Sequence, residues 1–304
     1  MNWKLRLVLF FTNFNNPTEG EGISVPAWRR KANMSARLGA LLYDRKTPVT
    51  FIQDATADGV PIRIYRHSTA AVQRVVIYYH GGGFALYGLD SHDYVCRRIC
   101  VMNDCVVVSV DYRLAPEHFF PAAHEDAFTA IKWVRAHIAN YNGDPDNLVV
   151  MGDSAGGNLA ACMAHKCRKE GIPLRAQVLV YPWIDGKLQH PSMQRNGKGY
   201  MLTAHAVKWF QQQYTPDPAL YCVPEVSPCY EADHTGLAPA FILTAEFDPL
   251  LDDGRYYYEQ LKAAGNKATY KEYKGLIHGF FNIPRVAPEG MQAFRDIREF
   301  LKTV

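Results

Sequence analysis

Gly152-Asp153-Ser154-Ala155-Gly156 sets a serine between two glycines, each two residues away. Residues 148–151 before it form an apolar, β-branched run too brief for a helix, and the small residues at 159–164 suit one. A tight strand-to-helix turn lifts a serine hydroxyl clear of the backbone, and the helix N-terminus behind it favours developing negative charge. A hydroxyl is a poor nucleophile at neutral pH, so it needs an adjacent base that is itself oriented by a third group. The competing reading is an ordinary glycine-serine turn between a strand and a helix.

Two loops late in the chain offer the partners. Residues 241–245 read as a strand leading into Glu246-Phe247-Asp248-Pro249, and 268–273 as a strand leading into Gly275-Leu276-Ile277-His278-Gly279. Asp248 and His278 are one strand–helix unit apart, so both can reach the same edge of a sheet. That spacing supports Ser154 as nucleophile, His278 as base and then acid, and Asp248 as the orienting carboxylate. Asp248 followed by proline suits the N-cap of the next helix equally well, and Glu246, Asp252 and Asp253 are alternative acids. Among the eleven histidines, His80 adjoins a glycine run and suits an ordering role there, while His92, His118 and His124 read as loop or helix-surface residues. The run His80-Gly81-Gly82-Gly83 exposes backbone amides that no Cβ hinders, and the tetrahedral oxyanion of acyl transfer needs such donors. A phosphate cradle is disfavoured because no Gly-Lys-Ser/Thr follows. Pro182-Trp183 follows a strand at 177–181 and falls near the acyl side of Ser154, where the indole either limits acyl length or packs in the core.

The elements that must hold these residues alternate. A helix is expected from Pro26 with Met34, Leu38, Leu41 and Leu42 at helical spacing, then a hairpin of 49–53 and 60–66 around Asp58-Gly59. Strands at 75–79, 106–110, 148–151, 177–181, 241–245 and 268–273 then alternate with helices at 91–102, 121–138 and after the serine turn, and a last helix runs through Phe300. This predicts an α/β fold, a mostly parallel sheet with helices on both faces, led by an antiparallel hairpin. The interval 182–239 breaks the rhythm, with a clear helix at 204–214 among Pro/Gly turns. A connection of that length is functional or holds its own elements. The expected organisation is a catalytic domain over 46–304 with a helical cap built from residues 1–45 and an insertion at 183–230.

Composition narrows the classes. Hydrophobic content of 48% and charged content of 21% suit a globular chain of 304 residues, and the net charge of +3 is spread without a basic stripe, which argues against nucleic acid. The seven cysteines lack C-x-x-C or metal-type spacing, so free thiols in a cytoplasmic protein and no metal or cofactor are expected. The apolar run 7–11 is shorter than a secretory h-region and suits a helix packed on the body; no stretch approaches the ~20 apolar residues of a membrane span.

HGGGF at 80–84, DYRLAPEHFFPAAHEDA at 111–127, GDSAGGN at 152–158, EFDPLLDDG at 246–254 and HGF at 278–280 together resemble the hormone-sensitive-lipase-like branch of the α/β-hydrolase family, with most similarity to bacterial acetyl esterases and short-chain carboxylesterases. The resemblance covers about 75–300 and implies an α/β-hydrolase fold, the triad Ser154, Asp248 and His278, and oxyanion-hole amides from Gly82, Gly83 and Ala155. It also implies a cap over the site, although residues 1–74 match none of its motifs. The expected activity is hydrolysis of small, short-acyl esters through an acyl-enzyme. The alternatives are an amide, carbamate or lactone hydrolase of the same fold, or a non-catalytic ligand-binding member. Monomer and homodimer both fit the sequence.

Overall fold

The computed structural model describes residues 1, 3, 5, 6, 9, 24–43, 47–68, 72–284 and 286–304, with the backbone alone over 36–43. The strands are β1 (Phe51–Ala57), β2 (Val60–Arg66), β3 (Gln73–Tyr79), β4 (Val106–Val110), β5 (Gly143–Asp153), β6 (Ala176–Val180), β7 (Ala240–Phe247) and β8 (Ala268–Ile277). They form one sheet in the order β1-β2-β4-β3-β5-β6-β7-β8. β1 and β2 pair antiparallel, as do β2 and β4; every other neighbouring pair is parallel. The helices in chain order are α1 (Val25–Tyr43), α2 (Asp93–Asn103), α3 (Ala122–His137), α4 (Ala155–Lys169), α5 (Pro191–Arg195), α6 (Ala204–Tyr214), α7 (Leu251–Ala263) and α8 (Gly290–Leu301).

The central strands carry near-continuous apolar runs, such as 75–79 in β3 and 148–151 in β5, because both faces are covered there. In β3, Val75, Ile77 and Tyr79 face a core shared with α3, α4 and α7, while Val76 and Tyr78 face a second core against α2 and α8. The strict period of two along the strand sorts the side chains between these layers. Leu5 and Leu9 are helical and buried in the second core; the rest of the run 7–11 lies outside the described residues.

The expected elements are present; β2 and β4 keep the bounds the sequence pattern marked, while β1, β3, β5, β7 and β8 are longer. β1 runs on to Ala57 because Asp58 (φ 47°) and Gly59 (φ 96°) make a two-residue turn with both central φ values positive, which keeps Ala57 paired with Val60. β5 begins at Gly143 instead of 148, and β8 continues to Ile277, right up to His278. On α1, Met34 is 59% exposed and does not face the core as its spacing suggested. The side chains of Leu38, Leu41 and Leu42 lie outside the described residues. The helix instead docks through Trp28, whose ring stacks on Phe210 at 5.2 Å and meets Trp209 edge-on at 4.8 Å. Both partners belong to α6, in the interval 182–239, which also holds α5 and two short 3-10 turns. Thr203 starts α6 by accepting the Ala206 amide at 3.1 Å on its hydroxyl.

Several histidines are buried, His80, His124 and His165 among them. Burial pushes His80 and His165 down to about 3 and His124 down to about 4, so all three are neutral in the folded chain near pH 6. Unfolded histidines take up their proton near ~6.5. Between about pH 6.5 and 4 the unfolded chain therefore binds more protons than the folded one. Stability is full above that window and falls as pH drops through it, by up to about 1.4 kcal/mol per pH unit for each histidine. The melting temperature should hold steady from pH 8 to 7 and decline from 6.5 to 4, with a shallower decline in His165→Gln. A melting temperature that stays flat across the acid window would contradict the neutral buried state.

Candidate active site

β5 ends at Asp153, and Ser154 adopts φ 56° and ψ −119° before α4 begins at Ala155. A non-glycine residue in such a region costs on the order of 1–3 kcal/mol and persists only when its surroundings hold it there. Here the Ser154 amide donates to the Val180 carbonyl at 2.9 Å, and the Ser154 carbonyl accepts from Asn158 at 3.1 Å and from Trp183 at 3.2 Å. A Cβ on Gly156 would overlap the Tyr79 carbonyl, so glycine is what allows α4 to come this close to β3.

The partners arrive through strand register. A bulge between Ala245 and Phe247 leaves Phe247 opposite Ile277, so the next residues along β7 and β8, Asp248 and His278, emerge side by side. The Asp248 carboxylate is fully buried, with Oδ2 2.7 Å from His278 Nδ1 and Oδ1 accepting the Leu250 amide at 2.8 Å. Asp248 is not the N-cap of the next helix, a place Leu250 takes; one of its oxygens closes the turn before α7 and the other meets the imidazole. A carboxylate at Nδ1 fixes the proton there and leaves the Nε2 lone pair facing Ser154 Oγ, 3.0 Å away. The Tyr181 ring lies 4.5 Å from the imidazole and backs it on one side.

The other candidate acids are engaged elsewhere. Glu246 accepts the Gly275 amide at 2.6 Å and Asp252 the Ser192 amide at 2.8 Å. Asp253 accepts the amides of Ile184 and Asp185 at 2.9 and 3.0 Å, and burial pushes its carboxyl well above the usual range.

Gly82 (φ 117°) and Gly83 (φ 60°) turn the chain after β3, with the Ala85 and Leu86 amides both donating to the Gly82 carbonyl. Among the described residues no protein group accepts from the amides of Gly82, Gly83 or Ala155. Ala155, as the first residue of α4, has no intrahelical acceptor for its N–H. His80 orders this loop, as its position suggested. Its Nδ1 lies 2.7 Å from the Gly81 carbonyl, its ring stacks on Tyr112 at 4.3 Å, and its own carbonyl accepts the Tyr112 hydroxyl at 2.6 Å.

His92 and His124 require correction: both are buried, not surface residues. His124 Nδ1 meets the Tyr214 hydroxyl at 3.2 Å. His92 faces Asp153, a residue the sequence reading passed over. Asp153 Oδ1 accepts from the Tyr78 hydroxyl at 2.6 Å and the Gly81 amide at 3.0 Å, with His92 Nε2 at 3.4 Å; Oδ2 accepts from Asn282 at 3.0 Å. Burial alone would raise this carboxyl, but the attraction of the nearby His92 imidazole and the hydrogen bonds from Tyr78 and Asn282 outweigh it and hold Asp153 well below the usual range. The available signal was an acid directly after the apolar run 148–151, where a buried carboxyl must find partners.

Trp183 is 6% exposed, its indole N–H donates to the Asp185 carbonyl at 3.1 Å, and its ring lies 6.0 Å from Phe84. The Asn158 amide group donates to its carbonyl at 2.8 Å. All seven cysteines are free, with Cys162 and Cys167 on α4. Among the described residues, no group of three His, Cys, Asp or Glu side chains could hold a metal ion, and no helix is long and apolar enough to cross a membrane.

A serine, an imidazole and a carboxylate in hydrogen-bonded line, beside unpartnered amides, is equipment for acyl transfer. Comparison with known proteins agrees. The alpha/beta hydrolase fold family matches residues 76–282. Carboxylesterase NlhH of Mycobacterium tuberculosis is 41% identical over 239 residues, covering 77% of this chain and 75% of that protein. Ethyl acetate hydrolase of Pseudomonas putida is 34% identical over 281 residues, 90% of this chain and 88% of the relative. The solved structure of a hyperthermophilic esterase from the archaeon Pyrobaculum calidifontis superposes with a TM-score of 0.91 at 37% identity, covering 100% of this chain and 98% of that one. With these matches over most of its length, the chain belongs to the α/β-hydrolase family, in the hormone-sensitive-lipase-like branch that its motifs resemble.

Proposed function

We propose that this chain is a serine carboxylesterase acting on small, short-acyl esters, with Ser154 as nucleophile, His278 as base and acid, and Asp248 as the orienting carboxylate. The observation that carries the reading is the unbroken line from Ser154 Oγ through the imidazole to Asp248, 3.0 and 2.7 Å, beside the amides of Gly82, Gly83 and Ala155. His278 Nε2 takes the Ser154 proton as Oγ attacks the ester carbonyl, and the three amides stabilise the oxyanion. The intermediate collapses as the imidazolium returns that proton to the departing alkoxide, releasing the alcohol. Water, deprotonated by the same nitrogen, then cleaves the acyl-enzyme and frees the acid. Asp248 stays ionised throughout and stabilises the imidazolium.

In this reading residues 46–304 are the catalytic domain, and residues 1–45 with the insertion 183–230 form the cap. Trp28 on Phe210 supports that pairing of two distant segments. Seven free thiols, six of them buried, suit a cytoplasmic location.

Ser154→Ala should fold normally and lose nearly all hydrolysis of p-nitrophenyl acetate, while a fluorophosphonate should label the wild-type chain at Ser154 alone. Labelling at another serine would end the assignment. Asp248→Asn should lower turnover by about 10⁴, since the amide no longer supports the imidazolium. Asp252→Asn should stay near wild type, and the reverse order would mean that the acid is misassigned.

Across p-nitrophenyl esters, kcat/KM should rise from acetyl and fall steeply beyond about hexanoyl, because each buried methylene gains at most about 0.8 kcal/mol and overpacking costs about 1–3 kcal/mol. A preference for chains longer than about ten carbons would sink the short-acyl assignment. Trp183→Ala should lower the melting temperature, in line with a loss of about 3–5 kcal/mol for a buried tryptophan. A shift of the acyl optimum with unchanged stability would make Trp183 a pocket wall instead.

A further inference from the structure

Arg29, on the second turn of α1, reaches across to the loops that flank the unpartnered amides. Its Nε donates to the Ala85 carbonyl at 2.7 Å and its Nη2 to the Ala115 carbonyl at 2.7 Å. The same guanidinium grips Glu117 with both Nη atoms, at 3.0 and 2.8 Å, and holds that carboxyl below its usual range. The two carbonyls it bridges are structurally linked. The Ala85 amide closes the turn onto the Gly82 carbonyl at 3.1 Å, and the Ala115 amide donates to the Phe84 carbonyl at 2.8 Å. One side chain therefore pins the far side of the turn that presents Gly82 and Gly83. The residue before it, Trp28, stacks on Phe210, and Phe210 fills the space where any side chain on Gly83 would have to go.

We propose that Arg29 is a positioning residue for the oxyanion-binding amides, locking the Gly82–Gly83 turn to the N-terminal helix. The inference rests on the esterase reading above. Its physical basis is fork geometry: a planar guanidinium holds two carbonyls and a carboxylate at fixed mutual positions, which an ammonium cannot do. An amide that strays from the oxyanion position weakens the transition state and leaves substrate binding nearly as it was. Complete removal of one such donor costs about 10²–10³ in rate, which bounds the effect from above.

Arg29→Met keeps the apolar stem and removes the fork. Assayed on p-nitrophenyl acetate well below its unfolding temperature, it should show kcat reduced about 10- to 100-fold with KM within about twofold. The Ki of an aryl trifluoromethyl ketone, which forms the same oxyanion on a serine, should rise by the factor that kcat/KM falls. Arg29→Lys should fall between wild type and Arg29→Met, and decides the matter if the methionine variant fails to fold. Glu117→Gln leaves both carbonyl bonds in place and should stay within about threefold, since a solvent-exposed pair contributes little.

A lowered melting temperature with unchanged kcat and Ki, in either Arg29 variant, would reduce the residue to a structural tie. A rise in KM with kcat held would make α1 a substrate wall and would also overturn the proposal. Failure of the esterase reading looks different, since the wild-type chain would then neither turn over esters nor be labelled at Ser154.

Discussion

A serine held at φ 56° on the end of a central strand is the constraint on which the rest of this structure depends. The backbone there is a conformation that L residues avoid, and it persists because β3, β5, β6 and α4 meet at van der Waals distance around it. Parallel pairing then does the remaining alignment. Gly152 faces Tyr79, Asp153 faces Val180 and Phe247 faces Ile277. His80, Ser154, Tyr181, Asp248 and His278 consequently all emerge just beyond the carboxyl ends of their strands, along one edge of one sheet. A crevice at that edge is where open parallel sheets offer room for ligands.

Three buried aspartates near this edge show how environment separates chemically identical groups. Asp248 shares its two oxygens between a turn amide and the imidazole. Asp153 would be raised by burial, yet donors from β3, from the glycine loop and from the loop after His278 keep it low and draw those segments together. Asp253 has only two amides to offset burial and is pushed up, consistent with a neutral carboxyl that ties the loop after β6 to α7. The number and kind of donors, not depth, send Asp153 and Asp253 in opposite directions.

The segments outside the sheet are joined to it by two different kinds of force. Trp28, Trp209 and Phe210 form an aromatic contact between helices far apart in sequence, stacked and edge-on, whose main gain is buried area. Arg29, one residue later, adds directional bonds to two specific carbonyls. The first brings α1 and α6 together; the second sets where α1 sits over the glycine loop.

The amino-acid sequence determined by itself the type and order of the main elements, although its helical spacing misplaced Met34 and its apolar run started β5 late. Apolar runs of strand length alternating with helical ones specified a parallel sheet, Asp58-Gly59 specified a hairpin turn, and Gly152-Asp153-Ser154-Ala155-Gly156 marked the reactive turn. Its spacing left Asp248 divided between a helix N-cap and an orienting acid; in the structure Leu250 is the N-cap, and Asp248 places one oxygen on the Leu250 amide and the other on His278 Nδ1. What only the tertiary structure decided is pairing between distant segments: a bulge in β7 that sets Asp248 beside His278, the donors that gather on Asp153, the burial of His92 and His124, and the reach of Arg29 to Ala85 and Ala115. Periodicity reports which face of an element is apolar, because hydrophobic burial is non-directional. It carries no information about which polar group will stand within hydrogen-bond distance of which, since that is set by register and by crossing of elements brought together only in the folded chain.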